Sequence, residues 1–212
     1  MAFAACLLLL ASGCAASKAV HPQLRAAADA GDALAVSDAL DALIAAGRDT
    51  PADREYAYNL VRTHTEDTAP TMYARAAVTG RLVQEKGLLA ANLVRDVEHD
   101  GLRSRELDPN FRDGVATRLL GTLYVIAPAT LLAHGNSELG LELLEGLVAA
   151  HPDVLENHLR LAEAYITLGD PAPAYPHLCR CLAQRAALRG DDQILLTHLV
   201  ANAGSFHCAT AP

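Results

Sequence analysis

The feature that most restricts the fold is a short pattern that occurs twice: a leucine, a small residue and, three positions later, a tyrosine. It forms LGTLY at residues 120–124 and LAEAY at residues 161–165. In a helix, a small residue lets a second helix approach closely, and large neighbours fill the groove beside it. Each pattern is followed by a second helix-like segment with small and apolar residues on one face. The pattern therefore predicts two helices that each pair with the next one.

The later of the two units covers residues 155–188, with a turn at Gly169. The face of its second helix is formed by Ala174, Leu178 and Cys181. The matching face of the earlier unit is formed by Gly140, Leu144 and Leu147, before Pro152. The spacing of the later unit matches the 34-residue tetratricopeptide repeat, whereas an insertion at residues 126–134 lengthens the earlier one by about seven residues.

A fainter unit ends at residues 105–109, and its first helix, around residues 73–83, lacks the full pattern. Two good repeats and a degenerate one reach the minimum for a stable stack, with the N-terminal helices as its cap. We therefore predict an all-α fold, a tetratricopeptide-like array of helical hairpins (an α-solenoid). It forms a single domain over residues 21–203, followed by a C-terminal tail over residues 204–212.

The composition agrees with an all-helical chain. Apolar residues make up 51% of the sequence but aromatic residues only 4%, and tryptophan is absent, so leucine and alanine supply most of the apolar mass. Both residues favour helices. Pro176 lies inside one predicted helix and is expected to bend it. The predicted helices cover residues 22–30, 33–46, 51–64, 70–84, 88–106, 112–126, 136–150, 154–168, 171–187 and 191–203.

The N-terminus has the pattern of an export signal. Residues 2–13 form an apolar run that is too short to span a bilayer, which needs ~20 residues, but suits a signal peptide. The run ends in Ala-Ser-Gly-Cys14, which resembles the lipobox of bacterial lipoproteins. The resemblance implies a signal peptide over residues 1–13, acyl chains such as palmitate on Cys14, and a tether over residues 14–20. A plain secretory signal, or a buried N-terminal helix, is the alternative.

The residue after Cys14 is Ala15 rather than an aspartate. By the sorting rule of such lipoproteins, this predicts a protein anchored in the bacterial outer membrane and facing the periplasm. Several acyl chains would give a stable anchor where one would be marginal.

Three further cysteines follow the N-terminal segment: Cys179, Cys181 and Cys208. The periplasm permits disulfides. Cys179 and Cys181 are two positions apart on a predicted helix, so they point to different faces and cannot easily bridge each other. Either could reach Cys208, and the odd count leaves one thiol free. Cys181 is better suited to be a buried thiol.

Charge and motifs exclude several functions. The formal net charge is −8, which repels a phosphate backbone and argues against a nucleic-acid partner. The nine histidines show no metal-ligand spacing, and no nucleophile or phosphate-binding motif occurs. We therefore predict no enzyme, no cofactor and no metal. The acidic residues Glu98 and Asp100, beside His99, are expected to form a solvated helix face.

Residues 108–169 resemble the tetratricopeptide-containing T components associated with TRAP-type transporters, and related lipoproteins. The matching positions are Leu120, Gly121, Tyr124, Pro128, Pro152, Glu156, Asn157, Leu161, Ala162 and Glu163. The resemblance implies an interaction scaffold that partners a solute-binding protein and passes a hydrophobic small molecule. An assembly factor for an envelope machine, such as a pilus or a secretion system, is the alternative function.

The concave groove of a repeat array is lined by the first helix of each pair. Counting from the packing positions predicts a partner groove formed by Arg118, Thr122, Val125, Glu156, Leu159, Glu163 and Ile166. A groove of mixed polarity suits an extended peptide or a partner helix. The alternative is that these side chains pack on neighbouring helices.

Overall fold

The computed structural model describes residues 20–208, and the predicted signal peptide, Cys14 and most of the tether lie outside that range. All regular structure in the described part is helical, so the predicted all-α class is confirmed. The helices are α1 (Pro22–Asp29), α2 (Ala33–Ala45), α3 (Pro51–Val61), α4 (Ala69–Lys86), α5 (Val94–Leu107), α6 (Val115–Ile126), α7 (Ser137–Ala150), α8 (Leu155–Thr167), α9 (Ala174–Ala183) and α10 (Gly190–Asn202).

Side-chain caps mark the starts of five of the ten α-helices in the described part of the chain. The Thr50 hydroxyl accepts a hydrogen bond from the backbone N–H of Asp53, whose carboxylate accepts the N–H of Thr50, and Pro51 occupies the first helical position. Asp32 caps α2 and Asn136 caps α7 in the same way. Such side-chain acceptors satisfy N–H groups that have no partner within the helix. The capped helices α2, α3 and α7 therefore begin within one residue of their predicted starts.

The even-numbered helices form a closed ring. Each of α2, α4, α6 and α8 contacts the next even-numbered helix, and α10 contacts both α8 and α2. Helices α3, α5, α7 and α9 each pack against the even-numbered helices before and after them in the chain. The array therefore returns upon itself instead of remaining open.

The ring closes at Gly190, the first residue of α10. A Cβ atom there would lie 2.1 Å from the backbone oxygen of Ala45 at the end of α2, so only glycine allows this approach. Arg189 reinforces the contact, since its guanidinium pairs with Asp41 of α2 at 3.3 Å. Arg81 of α4 pairs with the same Asp41 at 3.0 Å and reaches Asp191 at 3.4 Å. The closure thus combines backbone contact with a charged network.

Glycines also bring α6 and α7 together. A Cβ at Gly121 would lie 2.7 Å from Leu144, and one at Gly140 would lie 2.8 Å from the backbone oxygen of Gly121. The LGTLY segment thus packs against the face predicted for the following helix. The buried Leu120 and Tyr124 of the same segment fill the space on either side.

The acidic residues Glu98 and Asp100 do not form a solvated face, so that prediction is wrong. Both side chains are buried. The Glu98 carboxylate accepts backbone N–H bonds from residues 133, 134 and 135 at 2.6–3.0 Å, and Asp100 pairs with Arg75 at 3.0 Å. The inserted loop between α6 and α7 needs an acceptor for its N–H groups, and Glu98 supplies it.

Several helix boundaries differ from the predictions, among them the starts of α5, α6 and α9. Helix α6 begins three residues later than predicted, because Arg112 and Asp113 before it have positive φ angles. Residues 87–93 form a separate 3-10 segment before α5, with Ala90 outside helical geometry. Helix α9 begins at Ala174, three residues later than predicted, so Pro176 lies in its first turn and does not bend it. A proline there costs little because the first N–H groups of a helix have no partner within it.

The C-terminal tail packs on α9. Cys179 forms a disulfide with Cys208 (Cα–Cα 5.3 Å), and Phe206 stacks on Tyr175 with ring centroids 5.0 Å apart. Cys181 is the free thiol and is fully buried, and burial raises its pKa to about 12. The pairing that the sequence left open is thus Cys179 with Cys208.

Candidate functional site

A half-open cavity of about 280 Å³ lies within the helical ring. A second cavity of about 310 Å³ adjoins it and shares Asp41, Tyr73, Val115, Arg118 and Arg189 with it. The first cavity is lined by residues from all five ring helices and from α5. Its volume is near the lower end for small-molecule sites, which measure roughly 300–1,000 Å³.

Much of the cavity lining is charged, with four arginines against three carboxylates. The arginines are Arg81, Arg118, Arg160 and Arg189, and the carboxylates are Asp41, Glu156 and Asp192. The lining carries one more positive than negative charge, whereas the whole chain carries −8. Two further carboxylates, Asp191 and Glu163, pair with these arginines from beside the lining.

Three of these four arginines have carboxylate partners. Arg81 and Arg189 share Asp41, as described above, and Arg160 pairs with Asp192 at 2.7 Å and with Glu163 at 2.9 Å. Burial alone would lower the pKa of Arg160, but the carboxylates of Glu163 and Asp192 outweigh it and raise that pKa. These three side chains are structural ion pairs.

Arg118 differs from the other three. No carboxylate of residues 20–208 lies within ion-pairing distance of it, and its one hydrogen bond runs from Nη1 to Oδ1 of Asn157 at 2.7 Å. Burial lowers its pKa from the ordinary value, and the surrounding charges do not compensate. An arginine that is largely buried and unpaired, on the wall of a cavity, is a candidate ligand anchor.

Part of the lining is apolar. It is formed by Val83, Val94, Val97, Leu119, Leu123 and Ile126. Arg118 and Ile126 are eight residues apart on α6, so they are separated by about 12 Å along its axis. Ile126 is 48% exposed and lies at the edge of the cavity. The cavity lining thus combines charged and apolar side chains.

The residues predicted for a partner groove occupy three kinds of environment. Arg118, Thr122 and Glu156 line the cavity. Val125 and Leu159 are buried in the core, where Val125 packs beside Leu144 and Leu161. Glu163 pairs with Arg160, and Ile166 packs at the edge of the C-terminal core. The structure therefore brings three of the seven together around the cavity, and the other four do not line it.

Other lining residues were not singled out from the sequence, among them Tyr73, Arg81, Arg160 and Arg189. Arg81 and Arg189 lie far apart in the chain and meet only because α10 closes on α2. Arg160 lies four positions after Glu156 on α8, and this spacing was the one local signal that the two share a face.

Comparison with known protein families finds none that matches the chain, and no curated protein matches its sequence. Within residues 20–208, no group of three potential metal ligands lies close enough together to hold an ion. None of the helices in that range is both long and apolar enough to cross a bilayer.

Proposed function

We propose that this chain is a lipid-anchored, periplasm-facing protein of the tetratricopeptide-like class that acts as an accessory to a solute-binding protein of a TRAP-type transporter. The repeated LGTLY and LAEAY patterns, with their paired helices, support the class. The apolar leader that ends in Cys14 supports the anchor. The Cys179–Cys208 disulfide suits an oxidising compartment such as the periplasm.

The observation that carries the transport role is the cavity within the ring. A scaffold that only docks proteins needs an outer surface, and it does not require a cavity of about 280 Å³ with an unpaired arginine in its wall. A protein that receives a small solute from a binding protein needs such a space. The cavity therefore favours the transport accessory over an assembly factor.

The test is co-purification from native membranes. A C-terminally tagged chain is crosslinked in cells before detergent is added, and the captured proteins are identified by mass spectrometry. We expect a periplasmic solute-binding protein among them. Recovery of secretin, pilus or other assembly components in its place would overturn the transport role and favour the assembly factor.

The anchor is tested separately with Cys14→Ser. If Cys14 carries the lipid, the variant loses its acyl chains and moves from the membrane fraction to another fraction. A second variant, Cys6→Ser, lies within the predicted signal peptide and should leave the distribution unchanged. An unchanged membrane fraction for Cys14→Ser would contradict the anchor.

A further inference from the structure

The charge on Arg118 is the least explained feature of the described chain. Its three neighbours in the cavity are each neutralised by carboxylates at 2.7–3.4 Å, while Arg118 has a single neutral partner, Asn157. Removing a charge from water without an opposite charge is unfavourable, so such groups are retained where a ligand completes them. The missing partner is an anion.

The N–H donors of Arg118 that remain free indicate which kind of anion can bind. One Nη of Arg118 is occupied by Asn157, which leaves part of the guanidinium for a ligand. A guanidinium matches the two oxygens of a carboxylate. A phosphate dianion would need more free donors than one arginine supplies, and the carboxylates of Asp41, Glu156 and Asp192 in the lining would repel its second charge. A monoanion is therefore favoured.

The apolar part of the cavity lining indicates the chemistry of the rest of the ligand. Beyond Arg118, the cavity runs about 12 Å along α6 to Ile126 between valine and leucine side chains. Apolar surface of this kind is stabilised by burying apolar ligand atoms.

We propose that the cavity binds a small amphipathic carboxylate, with its carboxylate on Arg118 and its apolar part directed toward Ile126. The proposal deepens the transport role and rests on it for its biological meaning, since it names the solute that the accessory protein receives. The location of the binding site is inferred from the cavity alone and does not depend on the transport role.

The test uses the mature chain from position 14, secreted with Cys14→Ser so that no detergent competes for the cavity. Octanoate is titrated by calorimetry against octanamide, which has the same tail without the charge, and acetate, which has the charge without the tail. Octanoate should bind, and each of the other two should bind at least about tenfold more weakly. Equal affinities for octanoate and octanamide, or no octanoate binding, would overturn the proposal.

Variants locate the site. Arg118→Gln should weaken octanoate binding about tenfold or more, because a charge-assisted hydrogen bond is lost. Glu156→Gln should strengthen it, because a like charge is removed from the lining. Arg62→Gln is the matched control, since Arg62 pairs with Asp96 on the exposed surface at 3.1 Å, and it should bind as the wild type. Unchanged binding by Arg118→Gln, with its unfolding midpoint retained, would contradict the proposal.

The outcomes separate this proposal from the transport role. If a solute-binding protein co-purifies but octanoate does not bind, the ligand class is wrong and the role stands. If octanoate binds through Arg118 but no solute-binding protein co-purifies, the site stands and the transport role fails.

Discussion

At the scale of single residues, the four arginines of the cavity lining differ in their partners. Arg81, Arg160 and Arg189 each meet carboxylates and hold helices together, while Arg118 meets only an amide. Sequence patterns predicted that Arg118 lines a groove for a partner, and in the structure it lines the cavity, but they could not show that it lacks a counter-charge. That property depends on carboxylates from other helices, and it became visible only in the folded chain.

Replacing an arginine that has a carboxylate partner and one that has none should have opposite effects on the free energy of unfolding. Arg118→Gln removes an unpaired charge, so the free energy of unfolding should stay the same or rise on the order of 1 kcal/mol. Arg160→Gln leaves the buried Asp192 without a partner and should lower the free energy of unfolding by about 3–5 kcal/mol. Urea unfolding without ligand measures both. An equal loss in the two variants would show that Arg118 is a structural residue.

A histidine pair gives a second prediction at this scale. His158 donates from Nε2 to the backbone oxygen of Pro152 at 2.7 Å, so its Nδ1 accepts a bond from Nδ1 of His177 at 2.8 Å. Burial, and then the proximity of His158, lower the pKa of His177 below its ordinary value. The unfolded chain therefore binds a proton on His177 more tightly than the folded chain does. The contribution of His177 to the free energy of unfolding is fully present above about pH 6.5, and it is lost as the pH falls through the pKa of the folded state.

The wild type should therefore lose more stability between pH 7.5 and pH 5 than His177→Gln does. Urea unfolding at several pH values measures the difference. His198→Gln is the control, since His198 is exposed, and its pH profile should follow that of the wild type. Identical profiles for His177→Gln and the wild type would contradict the account.

At the scale of helices, most of the structure could be predicted because its determinants are local. Thr50 with Pro51, and Asn136, mark helix starts in the sequence and cap them in the structure. The exceptions depend on distant contacts. Glu98 resembles an exposed helix residue in sequence, but the inserted loop, more than thirty residues later, covers it.

Helix α7 contains a matched pair of glycines that tests the packing. At Gly140 a Cβ would lie 2.8 Å from the backbone oxygen of Gly121, which cannot move without shifting α6, so Gly140→Ala should lower the free energy of unfolding by about 1–3 kcal/mol. At Gly146 no heavy atom lies within 4 Å of the added Cβ, so Gly146→Ala should raise it by about 0.5–1 kcal/mol. Urea unfolding measures the free energy of unfolding of both variants. Equal effects of the two substitutions would contradict the close contact between Gly140 and Gly121.

At the scale of the whole molecule, the ring was the part that sequence could not supply. Repeat patterns predict that successive helix pairs stack, but they do not fix whether the ends of the array meet. The meeting depends on Gly190 against Ala45 and on Arg189 with Asp41, contacts between positions about 145 residues apart. The seven residues predicted to line an open groove were divided between cavity and core for the same reason.

The cavity exists because α10 closes on α2, and the most direct test is a distance across that contact. Spin labels are placed on exposed positions of each helix by Ala46→Cys and Ile194→Cys, in the mature chain with Cys14→Ser. The native cysteines do not interfere, because Cys181 is buried and the other two form the disulfide. Packed helices lie about 8–10 Å apart, so pulsed electron spin resonance should find one narrow distribution centred below about 25 Å. A broad distribution at clearly longer distances would show that the ring is open and would contradict the cavity.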